Sequence, residues 1–414
     1  MSERRNNPVK EFFEILLRII FVYLPGWIFL FPLSLIVPKK EGLVVFIGRD
    51  NGKFLDNVKY LFIYAFKEKG AEIKFLTEDV RTYKLLKIYN FPVIFHPSFI
   101  SFLTLLRTPL VVVDNRDWIR KYKVYLLIKA IKVQLWHGVG FKKIEADNPA
   151  LYRNFLIRIW NILRCRMPEY DLLVSTSSFY TENVFKNAMK YREIKEFGYP
   201  RNDVFFRQRT ELDYIETDSQ VIERIKKLKD LGYKVIVYTP TFRDNSENDP
   251  IKGGFINLER LRAFSQKHKF AFIVKFHPEV KFHFKEGELF PVFFYKKNKD
   301  IYPLLPESDL LVTDYSSIYM DYILMDKPVI FFPYDYETYV KIDRELQFDY
   351  NWITPGPKVY TQHELEDEIE RILIKGEDDY FERRKAILNL AFKYKDGRAS
   401  ERIWGYIIKK FIEK

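Results

Sequence analysis

Two consecutive series of short apolar runs, each alternating with longer helical patterns, restrict the fold more than any other feature of this sequence. The first series begins at Leu43–Ile47 and ends at Leu172–Ser175, and the second begins at Val235–Tyr238 and ends at Val329–Phe332. Strands that are apolar on both faces and separated by helices are typical of parallel sheets covered by helices. The sequence therefore predicts an α/β fold with two Rossmann-like, doubly wound domains that face each other across a cleft.

The length of 414 residues supports this division, because a single hydrophobic core stops growing at about 250–300 residues. A polar stretch after Asp203 marks the predicted boundary. We expect a membrane-associating segment at 1–40, a first domain at 41–205, a second domain at 206–385, and C-terminal helices at 386–414 that cross back to the first domain.

The composition narrows the class of partner. The chain has 68 Lys and Arg residues against 56 Asp and Glu residues, and the resulting net charge of +12 suits nucleic acid, an anionic membrane surface or phosphorylated substrates. No zinc-finger spacing, aromatic ribonucleoprotein motif or basic tail is present, so we expect no nucleic-acid partner. The single cysteine, Cys165, excludes an intramolecular disulfide and fits a reducing compartment.

An uncharged run, Ile19–Val37, lies near the N-terminus and is just long enough to span a bilayer. Pro25-Gly26 and Pro32 are expected to break a helix there, and basic residues flank both ends of the run. We therefore favour an in-plane or re-entrant anchor on the cytoplasmic face of the membrane over a true span or a buried hairpin. A second stretch, 151–166, has the pattern of a basic amphipathic helix, which suits either anionic lipid or an ordinary protein surface.

The end of one strand in the second series carries hydroxyl groups. The apolar run that starts at Leu310 ends in Thr313, and Ser316, Ser317 and Asp321 follow. A strand-to-helix junction of this kind presents hydroxyls and backbone N–H groups to a phosphate. Asp321 is placed either to accept a hydrogen bond from a substrate hydroxyl or to complement the helix dipole.

Hydroxyl, basic and histidine side chains follow other predicted strands as well. Such groups bind oxyanions, and a histidine fixed by a following proline is suited to phosphate binding or to protonating a leaving group. The structural alternatives are a salt bridge to Asp203 for Arg201 and ordinary turn chemistry for the segment that contains Thr241. The residues are Arg201, Thr241, Arg243, Lys275 and His277.

A histidine also ends a strand of the first series. His137 is followed by Gly138, with Lys142 and Lys143 just beyond. Histidine titrates near neutral pH and is therefore a candidate general base, whereas glycine lets a ligand approach the backbone closely. A capping or core histidine is the alternative. The loop 48–53, after the first strand, is either a plain turn or part of the same site.

Taken together and in this order, the segments WHG, GYPRND, PTFR, KFHP and TDYSSIYMDY resemble those of the CDP-glycerol:glycerophosphotransferase family of teichoic acid synthesis. The resemblance covers residues 42–405. It implies a GT-B-like fold with an acceptor-side first domain and a second domain for the CDP-glycerol donor. No carboxylate cluster in the sequence suggests a tightly bound metal, and we expect no tightly bound cofactor. The implied reaction transfers glycerol phosphate to a hydroxyl of a polyprenyl-diphosphate-linked saccharide at the membrane and releases CMP.

The resemblance also implies roles for individual residues. His137 matches the candidate base for the acceptor hydroxyl, and His277 matches a second histidine near the donor pyrophosphate. Donor and phosphate binding is expected from Ser316, Ser317, Thr241, Arg243, Arg201, Lys275, Thr313 and Asp321. Contacts on the acceptor side are expected from Gly138, Lys142 and Lys143.

Several alternatives stay open at this point. The same fold could use CDP-ribitol or a CMP-sugar as donor, or the chain could be a non-catalytic membrane assembly module. The compact length favours the addition of one or a few units, as in a primase, over long-chain polymerisation. The sequence leaves a homo-oligomer open and does not identify the acceptor lipid.

Overall fold

The computed structural model describes most of the chain. The described residues are 13, 16–17, 19–119, 122–144, 168–241, 249–275, 287–342 and 346–413. The amphipathic stretch 151–166 and the site candidates Arg243 and His277 lie outside them.

The first series of predicted strands forms a seven-stranded parallel sheet. The strands of this half of the chain are β1 Leu43–Ile47, β2 Glu72–Thr77, β3 Val93–Phe95, β4 Leu110–Val113, β5 Ile131–Gln134, β6 Glu169–Tyr170, β7 Leu172–Ser175, β8 Lys190–Tyr191 and β9 Ile194–Glu196. The sheet order is β3-β2-β1-β4-β5-β7-β9, and β6 pairs with β8 separately. The sequence did not predict β6, β8 or β9, because two or three residues with charges carry no recognisable period.

The second series forms a five-stranded parallel sheet. Its strands are β10 Lys234–Thr239, β11 Phe270–Val274, β12 Val292–Phe294, β13 Leu310–Thr313 and β14 Val329–Phe331. They lie in the order β12-β11-β10-β13-β14. The prediction of two parallel sheets in an α/β fold is confirmed, and all eleven strands predicted for the two series are present.

Helices connect the parallel strands. Those of the N-terminal half are α1 Ile19–Ile36, α2 Arg49–Gly52, α3 Asp56–Glu68, α4 Val80–Ile88, α5 Phe99–Arg107, α6 Lys123–Leu126, α7 Ser178–Tyr180 and α8 Lys186–Ala188. Those of the C-terminal half are α9 Ser219–Asp230, α10 Leu258–His268, α11 Ile318–Tyr322, α12 Tyr336–Ile342, α13 Tyr350–Ile353, α14 Gln362–Leu373, α15 Phe381–Ala391 and α16 Ala399–Ile407. Short 3₁₀ helices include Pro200–Phe205, after β9, and Ile323–Met325, after α11.

The central strands hold the hydrophobic core of each sheet. All five residues of β1 and all five of β11 are buried, as expected for parallel strands that are covered on both faces. Each fully buried Val, Ile, Leu or Phe side chain contributes about 1.5–3 kcal/mol to stability. The loops at the carboxyl ends of the strands are free of this requirement, and they carry the polar candidates for the site.

The C-terminal helix α16 packs on α3 of the first sheet. The Trp404 indole N–H donates to the carbonyl of Lys69 at 3.1 Å, and the Trp404 ring lies 6.2 Å from the ring of Phe46. Asp203 accepts hydrogen bonds from the first backbone N–H groups of the helix, those of Ala399 and Ser400, at 2.9 Å each. The chain therefore returns to the first sheet at its end, whereas the residue bounds proposed for the domains stay a prediction.

The N-terminal run folds as one helix, α1, and the predicted break at its prolines is wrong. Helical structure continues through Pro25 and Pro32 and includes two π-helical segments, Ile19–Tyr23 and Gly26–Leu30. A proline removes one backbone donor and crowds the preceding turn, and local π-helical bonding is one way in which a helix accommodates it. The helix is long and apolar enough to cross a membrane, and 17% of it is buried.

One side of α1 packs on α6. A Cβ atom on Gly26 would come within 2.2 Å of the Tyr125 ring, so the two helices touch at this glycine. The rings of Tyr23 and Trp27 lie 6.4 and 5.5 Å from the ring of Tyr125. These contacts explain why two aromatic residues stand in the middle of an apolar run.

Candidate active site

A pocket of about 300 Å³ lies where the carboxyl ends of the two sheets meet. It brings together five of the predicted site residues, namely His137, Arg201, Lys275, Ser316 and Ser317. The other lining residues are Arg49, Asp56, Thr239, Pro240, Lys297, Ile301, Tyr302 and Ile318. Residues from both sheets line it, so neither sheet forms this site alone.

A strained turn after β5 presents His137 to this pocket. Trp136 has φ +60° and Gly138 has φ +133°, so both residues beside the histidine occupy left-handed backbone regions. The Trp136 N–H donates to the Gln134 side chain at 2.9 Å, and its carbonyl accepts from the Asn57 amide at 2.8 Å. Strained backbone persists only where its surroundings hold it in place, and these bonds supply that support.

One nitrogen of the His137 imidazole is hydrogen-bonded to the protein backbone, and the other is left to accept a proton. Its Nδ1 lies 3.0 Å from the carbonyl oxygen of Asp114, an acceptor only, so Nδ1 carries the proton and Nε2 is the basic nitrogen. Enclosure between the sheets and the nearby Arg49 charge lower the pKa of His137, whereas Asp56 opposes the shift. The side chain is exposed to the pocket, and solvent limits this shift. His137 is therefore neutral at pH 7 and able to accept a proton.

Arg201 lies at the junction of the two sheets and is paired with two carboxylates. Its Nη1 donates to Asp56 Oδ1 at 2.6 Å and to the carbonyl of His137 at 2.8 Å, and its Nη2 donates to Asp321 Oδ2 at 2.5 Å. Asp321 also accepts from the Tyr302 hydroxyl at 2.7 Å. The alternative of a salt bridge with Asp203 is wrong, because that carboxylate caps α16 instead.

Ser316 and Ser317 form the wall of the pocket that belongs to the second sheet. They follow β13 and precede α11, which has only five residues, so the helix dipole that the sequence predicted to act here is small. A Cβ on Gly138 would lie 3.2 Å from the Ser317 Oγ, and one on Gly140 would lie 3.1 Å from the Ser317 Cβ. Both glycines therefore leave the space that Ser317 occupies across the cleft.

A carboxylate joins two strand ends beneath the serines. Asp314 accepts hydrogen bonds from the Thr241 N–H at 2.8 Å and from its hydroxyl at 2.6 Å. Thr313 is buried, and its hydroxyl donates to the carbonyl of Thr239 at 2.8 Å. Thr241 and Thr313, two of the predicted phosphate ligands, are thus hydrogen-bonded to protein groups. These bonds fix the loops that carry Ser316.

The pocket is also rich in cationic groups. The Lys275 Nζ donates to the carbonyl of Lys299 at 2.6 Å, and burial lowers the pKa of this lysine to about 8. The Arg49 Nη1 lies 3.2 Å from Asp56 Oδ2, and 43% of its side chain is exposed. Within the described part of the chain, no group of three His, Cys, Asp or Glu side chains is arranged to hold a metal ion.

The predicted acceptor-side lysines lie away from this pocket. Lys142 forms a β-bridge with Leu346, and its Nζ is 5.2 Å from the centre of the Tyr339 ring. Neither Lys142 nor Lys143 lines the pocket. Both side chains are half-buried and lie in the segment that follows β5 of the first sheet.

Sequence reasoning did not single out several of the lining residues. Arg49 lies in the segment 48–53, which the sequence left open as a plain turn or part of the site, and the left-handed residues Asp50 and Asn51 turn the chain there after β1. The end of a parallel strand was the available indication for this residue. Asp56 and Tyr302 carried no local pattern, because a single carboxylate or phenol in a polar stretch resembles ordinary surface.

Comparisons with known proteins point to one family. A family model described as CDP-glycerol:poly(glycerophosphate) glycerophosphotransferase matches residues 29–409. The chain is 28% identical over 389 residues to a teichoic acid glycerol-phosphate transferase of Staphylococcus aureus (strain NCTC 8325 / PS 47), covering 90% of this chain and 94% of that protein. It is also 28% identical over 318 residues to the teichoic acid ribitol-phosphate polymerase TarK of the same strain, covering 70% of this chain and 59% of TarK.

A solved structure of the wall teichoic acid polymerase TagF, soaked with CDPG, has the same fold. The TM-score is 0.70 at 24% identity, and the match covers 91% of this chain and 90% of that one. The predicted GT-B-like arrangement of two Rossmann-like units is confirmed at the level of the fold.

Proposed function

This chain belongs to the CDP-glycerol:poly(glycerophosphate) glycerophosphotransferase family, and from that premise we propose that it transfers glycerol phosphate from CDP-glycerol to a hydroxyl of a lipid-linked acceptor at the membrane. The family and its relatives are transferases of teichoic acid synthesis. The observation that carries the proposal is the placement of His137: its basic nitrogen is left for the pocket, opposite Ser316 and Ser317 of the second sheet.

In the proposed reaction, His137 acts as the general base. Its Nε2 accepts the proton of the acceptor hydroxyl while the hydroxyl oxygen attacks the phosphorus that bears glycerol. A new P–O bond forms to the acceptor, the P–O bond to the bridging oxygen breaks, and CMP leaves with that oxygen. Phosphoryl transfer depends mainly on positioning and on the stabilisation of charge, so a neutral base among cations suits it.

The donor phosphates are proposed to lie on the side of the second sheet. Ser316 and Ser317 supply hydroxyl donors, and Lys275 and Arg49 supply positive charge for the phosphate oxygens. His277 and Arg243, which lie outside the described residues, are proposed to complete this side, as the family resemblance implies. Thr241, Thr313 and Asp321 hold the loops of the pocket through the internal hydrogen bonds described above.

The acceptor is proposed to arrive from an apolar face of the first sheet. The outer side of α1 is exposed, with Phe21 and Phe29 at 72% and 69%, although its other side packs on protein. The neighbouring α5 begins with Phe99 and Ile100, which are 83% and 65% exposed. Because α5 follows the carboxyl end of β3, these side chains lie at the same edge of the sheet as His137.

This arrangement supports a monotopic protein on the cytoplasmic face. A helix that packs lengthwise on its own domain presents a single apolar side to lipid, as in-plane helices do. Exposed cations nearby, at Arg107 and Lys129, suit anionic headgroups. A lipid-linked acceptor held in that membrane would present its hydroxyl at the cleft.

We further propose that the enzyme adds one or a few units. The relative that this chain matches over 94% of its length is named a glycerol-phosphate transferase, not a polymerase. The second candidate is ribitol phosphate transfer, which the 28% identity to TarK favours over the CMP-sugar alternative.

Donor turnover tests the proposal. Purified protein is incubated with a polyprenyl-diphosphate-linked saccharide and with CDP-glycerol, CDP-ribitol or a CMP-sugar, and CMP release is measured together with the mass of the lipid product. We expect CMP only with CDP-glycerol and a product heavier by one or a few glycerol phosphate units. Turnover of CDP-ribitol alone would establish the second candidate, and a long ladder of products would refute the primase-like assignment.

A further inference from the structure

We infer that Asp56, Arg201 and Asp321 form a carboxylate–guanidinium–carboxylate bridge that positions His137 across the cleft, rather than binding the substrate themselves. The inference rests on the proposed function, in which His137 is the base. It assigns to Arg201 a role different from that of the phosphate ligand expected from the sequence.

The bridge connects three separate parts of the fold. Asp56 begins α3 on the first sheet, Arg201 lies in the short 3₁₀ helix after β9, and Asp321 belongs to α11 on the second sheet. The two carboxylates bind the two ends of one guanidinium, with Nη1 to Asp56 Oδ1 at 2.6 Å and Nη2 to Asp321 Oδ2 at 2.5 Å. Paired bonds of this type fix orientation as well as distance.

The bridge also holds the backbone of the catalytic turn. Arg201 Nη1 donates to the carbonyl of His137 at 2.8 Å, and the backbone N–H of Arg201 donates to the Asn57 side chain at 3.1 Å. The same Asn57 donates to the carbonyl of Trp136 at 2.8 Å. The two consecutive carbonyls of the strained turn are therefore tied to α3 and to Arg201.

The burial of Arg201 argues against a direct role in phosphate binding. Its side chain is 3% exposed, and its terminal nitrogens already serve two carboxylates and one carbonyl. Its Nε is inaccessible to solvent. An anion in the pocket would have to displace a buried carboxylate to gain this guanidinium, which leaves an uncompensated buried charge.

The charged groups around His137 predict the direction in which its pKa should change in variants of this region. Asp56 stabilises the protonated imidazole, whereas Arg49 and Arg201 destabilise it. Burial and then the nearby Asp56 raise the pKa of the Asp114 carboxyl, whose backbone carbonyl accepts from the ring, well above the usual range. Asp56 and Arg49 therefore change the basicity of His137 in opposite directions.

The test measures both turnover and the titration of His137. In Asp56→Asn the His137 ring should titrate at a lower pH, and in Arg49→Gln at a higher pH, each by about half a unit or more. NMR of the imidazole reads this without turnover, and His137→Gln identifies the resonance among the six histidines. In the kcat profile, the acidic limb should move in the same two directions.

Arg201→Lys separates positioning from binding. Lysine keeps the charge but cannot bind two carboxylates and a carbonyl in one plane. We expect kcat to fall at least tenfold with KM for CDP-glycerol within about threefold, because the donor contacts remain. A rise in KM with unchanged kcat would overturn the inference and restore Arg201 as a phosphate ligand.

A matched control and an independent readout keep the outcomes distinct. Arg384 is equally buried, at 2%, and pairs with Asp378 through two bonds of 3.0 and 2.7 Å. Arg384→Lys should lower stability without moving the titration of His137 or the acidic limb of the kcat profile. If no donor turns over in the wild type, the proposed function fails, whereas an unchanged His137 titration in both Asp56→Asn and Arg49→Gln overturns the inference alone.

Discussion

The cleft and the outer face of α1 depart from an ordinary protein surface in opposite directions. In the cleft, the charged side chains of Arg201 and Asp321 are buried to 3% and 1% exposure. On α1, the apolar side chains of Phe21, Phe29 and Ile36 are 72%, 69% and 76% exposed. Each departure costs free energy in water, so each indicates a requirement other than stability.

The two regions meet different physical requirements. Buried charges in the cleft persist because they are paired in fixed geometry, which is what a phosphoryl-transfer site requires. The exposed apolar side chains of α1 are not covered by protein and are suited to contact with a lipid bilayer. Changes in the cleft should therefore alter turnover or stability, and changes on α1 should alter location.

The largest expected effect is the loss of the proposed base. His137→Gln removes the proton acceptor and should lower kcat by about 10²–10⁴-fold, measured as CMP release. Vesicle binding should not change, because the residue lies in the cleft. His363→Gln, on the exposed face of α14, serves as the control and should retain full turnover. Comparable activity of His137→Gln and the wild type would break the assignment of catalysis to the cleft.

The next effect concerns stability at the base of the cleft. The Lys59 Nζ is fully buried and lies 2.7 Å from Asp300 and from the carbonyls of Asp213 and Ile215. Lys59→Met leaves the Asp300 carboxylate buried without its cationic partner, although the Tyr60 hydroxyl still donates to it at 2.6 Å, and should cost about 3–5 kcal/mol of unfolding free energy, measured in urea. A loss below about 1 kcal/mol would mean that water reaches this pair.

An exposed ion pair is the matched comparison for Lys59. Lys186 and Glu182 form a pair 2.7 Å apart, and both side chains are more than half exposed. Lys186→Met should leave the urea midpoint of unfolding unchanged within error, because solvent screens an exposed pair.

Binding to vesicles tests whether the exposed face of α1 contacts lipid. Phe21→Glu combined with Phe29→Glu places two charges where lipid is proposed and should weaken binding to anionic vesicles at least about tenfold. Turnover of a soluble acceptor analogue should remain. Leu231→Glu, at a 66% exposed apolar position in the second half of the chain, is the control and should bind normally. Equal vesicle binding by the double variant would remove α1 from the membrane face.

A smaller effect is expected at α5. Phe99→Ser with Ile100→Ser shortens the apolar edge without adding charge, so vesicle binding should fall about two- to fivefold. Sedimentation with anionic vesicles measures this change beside that of α1. If the loss equals that of the α1 variant, the two helices contribute equally and the proposed order is wrong.

The smallest expected effect is a displacement of the acidic limb of the kcat profile against pH. The base must be neutral to act, so turnover is lost as pH falls through the pKa of His137. Because enclosure and Arg49 lower this pKa, activity should persist below pH 6.5, the ordinary titration point of histidine. The kcat profile between about pH 4 and 8 measures it. An acidic limb at or above pH 6.5 would show that solvent reaches the ring freely.

Much of the fold could be predicted from local patterns. Apolar runs such as Leu43–Ile47 and Leu110–Val113 coincide with strands residue for residue, because buried parallel strands need apolar side chains on both faces. The continuous helix through Pro25 could not be predicted, since neither the π-helical segment Gly26–Leu30 nor the contact of Gly26 with Tyr125 has a signature in the local pattern. Propensity describes an isolated segment, and packing overrides it.

Local patterns in the sequence predict two parallel sheets and the placement of polar residues after their strands, including His137 and Ser317. Which of these residues lie in contact depends on the folded arrangement of the two sheets. Asp56 and Arg201 are 145 positions apart, and Arg201 and Asp321 are 120 apart. Periodicity is a property of neighbours along the chain, whereas the pairing of charges depends on strand order and on the approach of the two sheets. Arg201 therefore looks like a phosphate ligand in its motif and, in the fold, is the centre of a bridge.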